Sequence, residues 1–285
     1  MAIRNPIEWS VDQFRLAAVA AGSVGRAGHR VAAPATPPRV RHIAAADLVE
    51  AVQRGLDDFM AYRSDVIFLC LIYPVVGLVL ARLASGYAML PLIFPLASGF
   101  ALIGPLAAIG LYEMSRRREA GAPIGWPDAF GVVGSRSFGA IVALGVLLIA
   151  IFALWLVAAA LIYRATLGPA PPSGVVPFLH DVFATPQGWA MIGIGIGVGF
   201  LFACLVLAIS VVSFPLLLDR DVGFAAAIAT SLRVTAANPG PIALWGLIVA
   251  VGLVVGSIPL LFGLVFVMPI LGHASWHLYR RAVAR

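Results

Sequence analysis

Lysine is absent from this chain of 285 residues, and charge of either sign is scarce. Asp, Glu and Arg together supply 11% of positions, against roughly 25% charged residues in an ordinary soluble domain. A water-exposed globule of this size could not cover its surface with so few charges, which excludes that class. Cysteine is limited to Cys70 and Cys204, both inside apolar stretches and far apart, so neither a disulfide framework nor a CxxC site is indicated. No HExxH, GxSxG or Walker A motif occurs, which lowers the case for an enzyme. The run Gly193 to Phe200, "GIGIGVGF", gives GxGxxG in no registration and follows no strand, so it is not read as a nucleotide loop. No cofactor is implied.

What the chain does have is apolar residues, 61% of the total, in continuous blocks that leave no polar face for water. A helix rises 1.5 Å per residue, so about 20 apolar residues cross a hydrocarbon core of roughly 30 Å. Blocks of this size occur at 66–84, 89–112, 138–163 and 189–218. The stretch 241–279 holds 39 residues without Asp, Glu or Arg, enough for two crossings. It divides at "GSIP", Gly256 to Pro259, because Pro259 disfavours helix at the residue before it and suits the first turn of a new one. The sequence thus predicts an all-α integral membrane protein with six spans, the last two being 241–257 and 259–279.

The net charge of +6 rests on 19 arginines that flank the apolar blocks instead of lining one helix. That placement fits anionic lipid headgroups and not nucleic acid. With six spans and both termini cytoplasmic, all arginines but Arg82 and Arg164 fall on the inner side, as the positive-inside rule requires. Residues 1–40 read as a cytoplasmic tail and Ala/Pro linker, with Arg15 interrupting any signal-peptide core, and 41–285 as the membrane domain.

Short amphipathic segments lead into the odd spans. From Asp47 to Met60, Leu48, Val52, Leu56 and Phe59 share a face, with Glu50 and Arg54 paired opposite. "GWPDAFGVVGSRSFG" precedes the third span. Ahead of the fifth, Asp221 is placed to cap a helix from Val222 to Ala237 with Phe224, Ile228 and Leu232 on one side. All three read as helices lying along the headgroups, and their recurrence suggests a three-unit pseudo-repeat.

The segments "YPVVGLVLARLASGY", "FPLASGFALIGPLAAIGLYEMSRRREAG", "SFPLLLDRDVG" and "ANPGPIALWGLIVA" resemble a family of bacterial predicted integral membrane proteins catalogued as domain of unknown function 2189. The resemblance runs from about residue 40 to the C-terminus and implies a multi-span protein of the bacterial inner membrane. It brings no activity, cofactor or catalytic residue.

Four groups of residues invite a functional reading, the first being "EMSRRREAG" after the second span, where a lipid-headgroup or partner site competes with a stop-transfer and orientation signal that suffices by itself. His273 and His277 lie one turn apart in "GHASWH" and, with Glu113 and Asp219 at the same cytoplasmic level, could hold a metal. Beside Trp276 and Tyr279 they equally suit an aromatic interfacial belt. Gly193 with Gly197, and Gly195 with Gly199, form small-xxx-small pairs on the fourth span, suited to packing against a membrane-protein partner or a second copy. Pro91, Pro95, Gly99, Gly104 and Pro105 break the second span, where a carrier could bind cargo. No Asp, Glu or Arg lies deep in any span, which argues against an ion path. The expected function is therefore a non-catalytic scaffold or accessory component packing with partner helices or lipid. A small carrier of neutral or lipid-like cargo comes second, and a metal-dependent membrane enzyme third.

Overall fold

The computed structural model describes residues 38–62, 87–122, 125–259 and 261–284. The expected tail and the expected span at 66–84 lie outside them. The helices in chain order are α1 (Ala45–Ala61), α2 (Ile93–Phe100), α3 (Gly104–Ala107), α4 (Ile109–Glu119), α5 (Phe138–Thr166) and α6 (Val175–Ala184), then α7 (Pro186–Ser210), α8 (Ser213–Asp219), α9 (Phe224–Ala237), α10 (Pro239–Ser257) and α11 (Leu264–Ala282). Among the described residues there is no strand, only an isolated antiparallel bridge between Val40 and Val283.

Four stretches are long and apolar enough to cross a membrane: Leu90–Glu119, Phe138–Thr166, Pro186–Asp219 and Pro239–Ser257. α11 has the length but carries His273, His277, Arg280 and Arg281, so it does not count with them. The second predicted span is a broken helix, with a 3-10 turn at Ala101–Ile103 between α2 and α3. Its break is closed by α5. Trp155 donates its indole N–H to the Pro95 carbonyl at 3.0 Å, supplying a partner to a backbone group in the proline-disrupted segment. A Cβ on Gly99 would collide with the Phe152 ring, so the two helices meet closely there.

Burial divides the longest of these stretches into two zones. Along Pro186–Asp219, Gly188 is the sole buried residue as far as Leu205, while Ile209 to Leu217 are all buried. These twenty residues, Pro186 to Leu205, rise about 30 Å, the thickness of a hydrocarbon core. The remaining fourteen, including "SFPLLLD", continue into a packed layer with the C-terminal half of α11, with α4 and with α9. Asp219, Arg220 and Asp221 follow this buried stretch.

The segments expected to lie along the headgroups take three different forms. α1 packs antiparallel along α11, with Gly55 so close that a Cβ would stand 2.6 Å from the Ala274 nitrogen. Its buried face is Leu48, Ala51, Gly55 and Phe59, whereas Leu56 is 44% exposed, because close helix approach selects the small residues. Trp126–Gly134 is 3-10 and not α-helix. α9 begins at Phe224 with Gly223 as its N-cap at φ 77°, so Asp221 is not the cap. The face α9 buries is Ala227, Thr230, Ser231 and Val234, not the Phe224/Ile228/Leu232 stripe. The Ser231 hydroxyl donates to the Ala208 carbonyl at 2.7 Å and the Ser213 hydroxyl to Ala227 at 3.1 Å, which needs small side chains at the crossing. Unforeseen in the sequence was α6, between α5 and α7, with Val175, Val176, Leu179 and Phe183 exposed.

Candidate functional site: a buried polar network in the end layer

Asp58 sits near the C-terminal end of α1, on the face that packs against α11 and α4, and is 5% exposed. One carboxylate oxygen accepts from Ser115 at 2.5 Å and meets the His277 Nε2 at 2.9 Å. The other accepts from Arg118 at 2.6 Å. Ser115 also lies 2.8 Å from the Nδ1 of His273. A serine hydroxyl has one proton, and here it goes to Asp58. His273 must then donate from Nδ1 to the Ser115 oxygen, leaving Nε2 bare. That agrees with the surroundings, for the buried Nε2 makes no hydrogen bond of ordinary geometry among the described residues. Burial pushes the Asp58 carboxyl up, but the hydrogen bonds from His277 and Ser115 outweigh it and hold it below its ordinary value. Asp58 is consequently an anion at neutral pH.

Two further knots surround this one. Glu113, 2% exposed, accepts a bidentate pair from Arg116 at 2.7 and 2.8 Å and a bond from Arg117 at 2.8 Å. Arg117 in turn reaches Asp128, whose other oxygen accepts from the Gly125 amide at 2.8 Å and starts the 3-10 segment. Asp219 accepts from the Tyr279 hydroxyl at 2.6 Å and from Arg280 at 3.2 Å, while Arg280 also grips Glu119 at 2.8 Å. Asn238 closes the layer. Its carbonyl oxygen accepts from the Ile43 amide at 2.8 Å, and its amide donates to Arg41 at 3.1 Å and to Val234 at 3.0 Å, fixing the entering chain to the start of α10.

The structure thus brings His273 and His277 together around Asp58, while Glu113 and Asp219 are engaged elsewhere, by arginines and by Tyr279 with Arg280. Among the described residues no group of three or more His, Cys, Asp and Glu side chains is placed to hold a metal. Sequence reasoning missed Asp58. A signal existed for Asp58, which stands three residues after Gly55 on the buried face of an otherwise apolar stripe, where a carboxylate requires partners.

An open cavity of about 230 Å³ adjoins the network. Its walls are Arg54, Arg118 and Arg280, the carboxylates Asp58 and Glu119, and between them Ser115 and His277. A second cavity lies at the other end, between the end of α5 and α6, beside Tyr163 and Phe178. On the fourth predicted span, Gly199 packs on the Trp155 ring, 3.1 Å from the position of a Cβ, whereas Gly193, Gly195 and Gly197 have open space.

No curated protein and no solved structure matches the chain. Residues 93–219, which run from α2 to α8 and carry Glu113, Ser115, Arg118, Glu119 and Asp219, match the family model described as predicted integral membrane protein. The chain is thus an integral membrane protein similar, over those residues, to the family catalogued as domain of unknown function 2189, the one its sequence motifs resemble.

Proposed function

We propose that this protein is a non-catalytic scaffold or accessory component of the bacterial inner membrane, crossing it six times with both termini cytoplasmic and packing against partner helices or a second copy. In this reading the spans at 66–84 and 259–279 complete the four long apolar helices, and an amphipathic segment enters each odd span as one unit of a threefold repeat. The observation that carries it is the distribution of polarity. At membrane depth the helices present bare apolar surface, including Ile194, Ile196, Phe200 and Leu201 around the open glycines of α7. The ionised groups are gathered in the end layer and largely satisfied by one another. Bare small-residue helix faces are what helix association in lipid uses.

The carrier reading rests on the broken second span, and the closure of that break by Trp155 and Phe152 speaks for packing instead of a cargo site. The metal-enzyme reading draws on His273 and His277 alone, since Glu113 and Asp219 are held by other partners. Extraction from native membranes in a lipid-preserving polymer, followed by mass measurement, tests the proposal. A homo-oligomer or a stoichiometric complex is expected. A lone protomer in every preparation refutes it. Reporter fusions at both ends check the topology, with a periplasmic signal at either end ruling out six spans and cytoplasmic termini.

A further inference from the structure

The cavity beside Asp58 has an uneven hydrogen-bond inventory. A guanidinium carries five N–H donors. Among the described residues Arg54 commits one, to Glu50 at 2.7 Å, and Arg118 commits one, to Asp58. The acceptors are occupied: Asp58 by Ser115, His277 and Arg118, and Glu119 by the Trp276 indole at 3.1 Å and by Arg280. Glu50 is itself shared between Arg54 and Arg281, so Arg54 has only part of one counter-charge. What the cavity lacks is an acceptor-rich, negatively charged occupant. At about 230 Å³ it is smaller than the roughly 300–1,000 Å³ of sites for drug-sized molecules, which suits one tetrahedral oxyanion group. Arginines at a concave site are the favoured partners of phosphate, through paired N–H···O bonds.

We infer that this cavity is a phosphate-binding site, with Arg54 and Arg118 as its principal donors and His277 at its wall. The phosphate belongs either to a lipid headgroup, since the site opens at the end of membrane-crossing helices, or to a free anion. This inference goes beyond the scaffold reading and survives its failure, because it requires no partner protein.

The test uses the full chain in a phosphate-free maltoside micelle, with isothermal titration calorimetry as readout. Inorganic phosphate is titrated in one arm and short-chain phosphatidylglycerol in the other, at fixed ionic strength. Saturable binding in the first arm identifies a free anion, and saturation only in the second identifies a headgroup. Arg54→Gln is expected to weaken binding about tenfold, the loss of one charge-assisted bond. Arg164→Gln, at the opposite end of α5, is expected to leave it unchanged. The Arg54 side chain is 55% exposed, and helical circular dichroism confirms that the variant folds. Competition by sulfate on the parent protein provides a second measure at the same site. Absence of saturation in both arms overturns the inference, as does equal weakening by the two substitutions or failure of sulfate to compete.

Discussion

Replacing Asp58 by alanine should loosen the whole end layer. The carboxylate ties α1 to α4 and α11, through Arg118 and Ser115 on α4 and His277 on α11. Removing it leaves the Ser115 hydroxyl, on a residue 1% exposed, without the acceptor of its proton. Hydrogen bonds to a charged group contribute about 1.5–3 kcal/mol each. The bonds from Ser115 and His277 count in full, since the His277 side chain is only 13% exposed. The Arg118 bond is discounted, because that side chain is 36% exposed and rehydrates. The sum is about 3–6 kcal/mol, which spans the size expected on breaking a buried charge pair from one side. SDS-induced unfolding of the purified protein in mild micelles, followed by helical circular dichroism, measures it. Asp58→Asn keeps the shape and can still accept from Arg118, so its loss should be smaller. A change under about 0.5 kcal/mol for Asp58→Ala, the range of neutral surface substitutions, would show that the network does not hold the layer together.

Three other outcomes follow from the same packing. Gly55→Val forces a side chain against the Ala274 nitrogen and the Ile270 carbonyl, 2.6 and 2.7 Å from the new Cβ; because backbone cannot yield as a side chain does, a loss of about 1–3 kcal/mol is expected in the same unfolding assay, and a neutral result would disprove the α1–α11 contact. Asn238→Ala removes the two bonds that anchor Arg41 and Ile43 and a third to Val234 and should cost about 2–3 kcal/mol, with faster amide exchange at Ile43; unchanged exchange there argues against the clip. The pH dependence has a definite sign: the folded Asp58 carboxyl lies below its ordinary value of 3.8, so its contribution is complete at neutral pH and is lost as pH falls through 3.8 toward the folded value. The stability gap between the parent and Asp58→Asn should narrow over that range, and a gap that stays constant down to strong acid contradicts the assignment.

The membrane class was legible in the sequence because the constraint is local. A run such as Phe138 to Thr166, 29 residues without a break, must satisfy its backbone internally and its side chains in lipid whatever its neighbours do. The kink of the second span was equally local, written in Pro95 and Gly104, and so was the Glu50–Arg54 pair, since one turn of helix brings them together. The polar network was not legible. Asp58 and Ser115 stand 57 residues apart, Ser115 and His273 158 apart, and no periodicity within one helix links such positions. Only the packing of α1 along α11, made close by Gly55, and of α4 beside both, decided that the two histidines face a carboxylate from the far end of the sequence instead of Glu113 and Asp219. Tertiary contact likewise decided which face α9 buries, because the small residues Ala227 and Ser231 permit an approach that Phe224 and Leu232 would block.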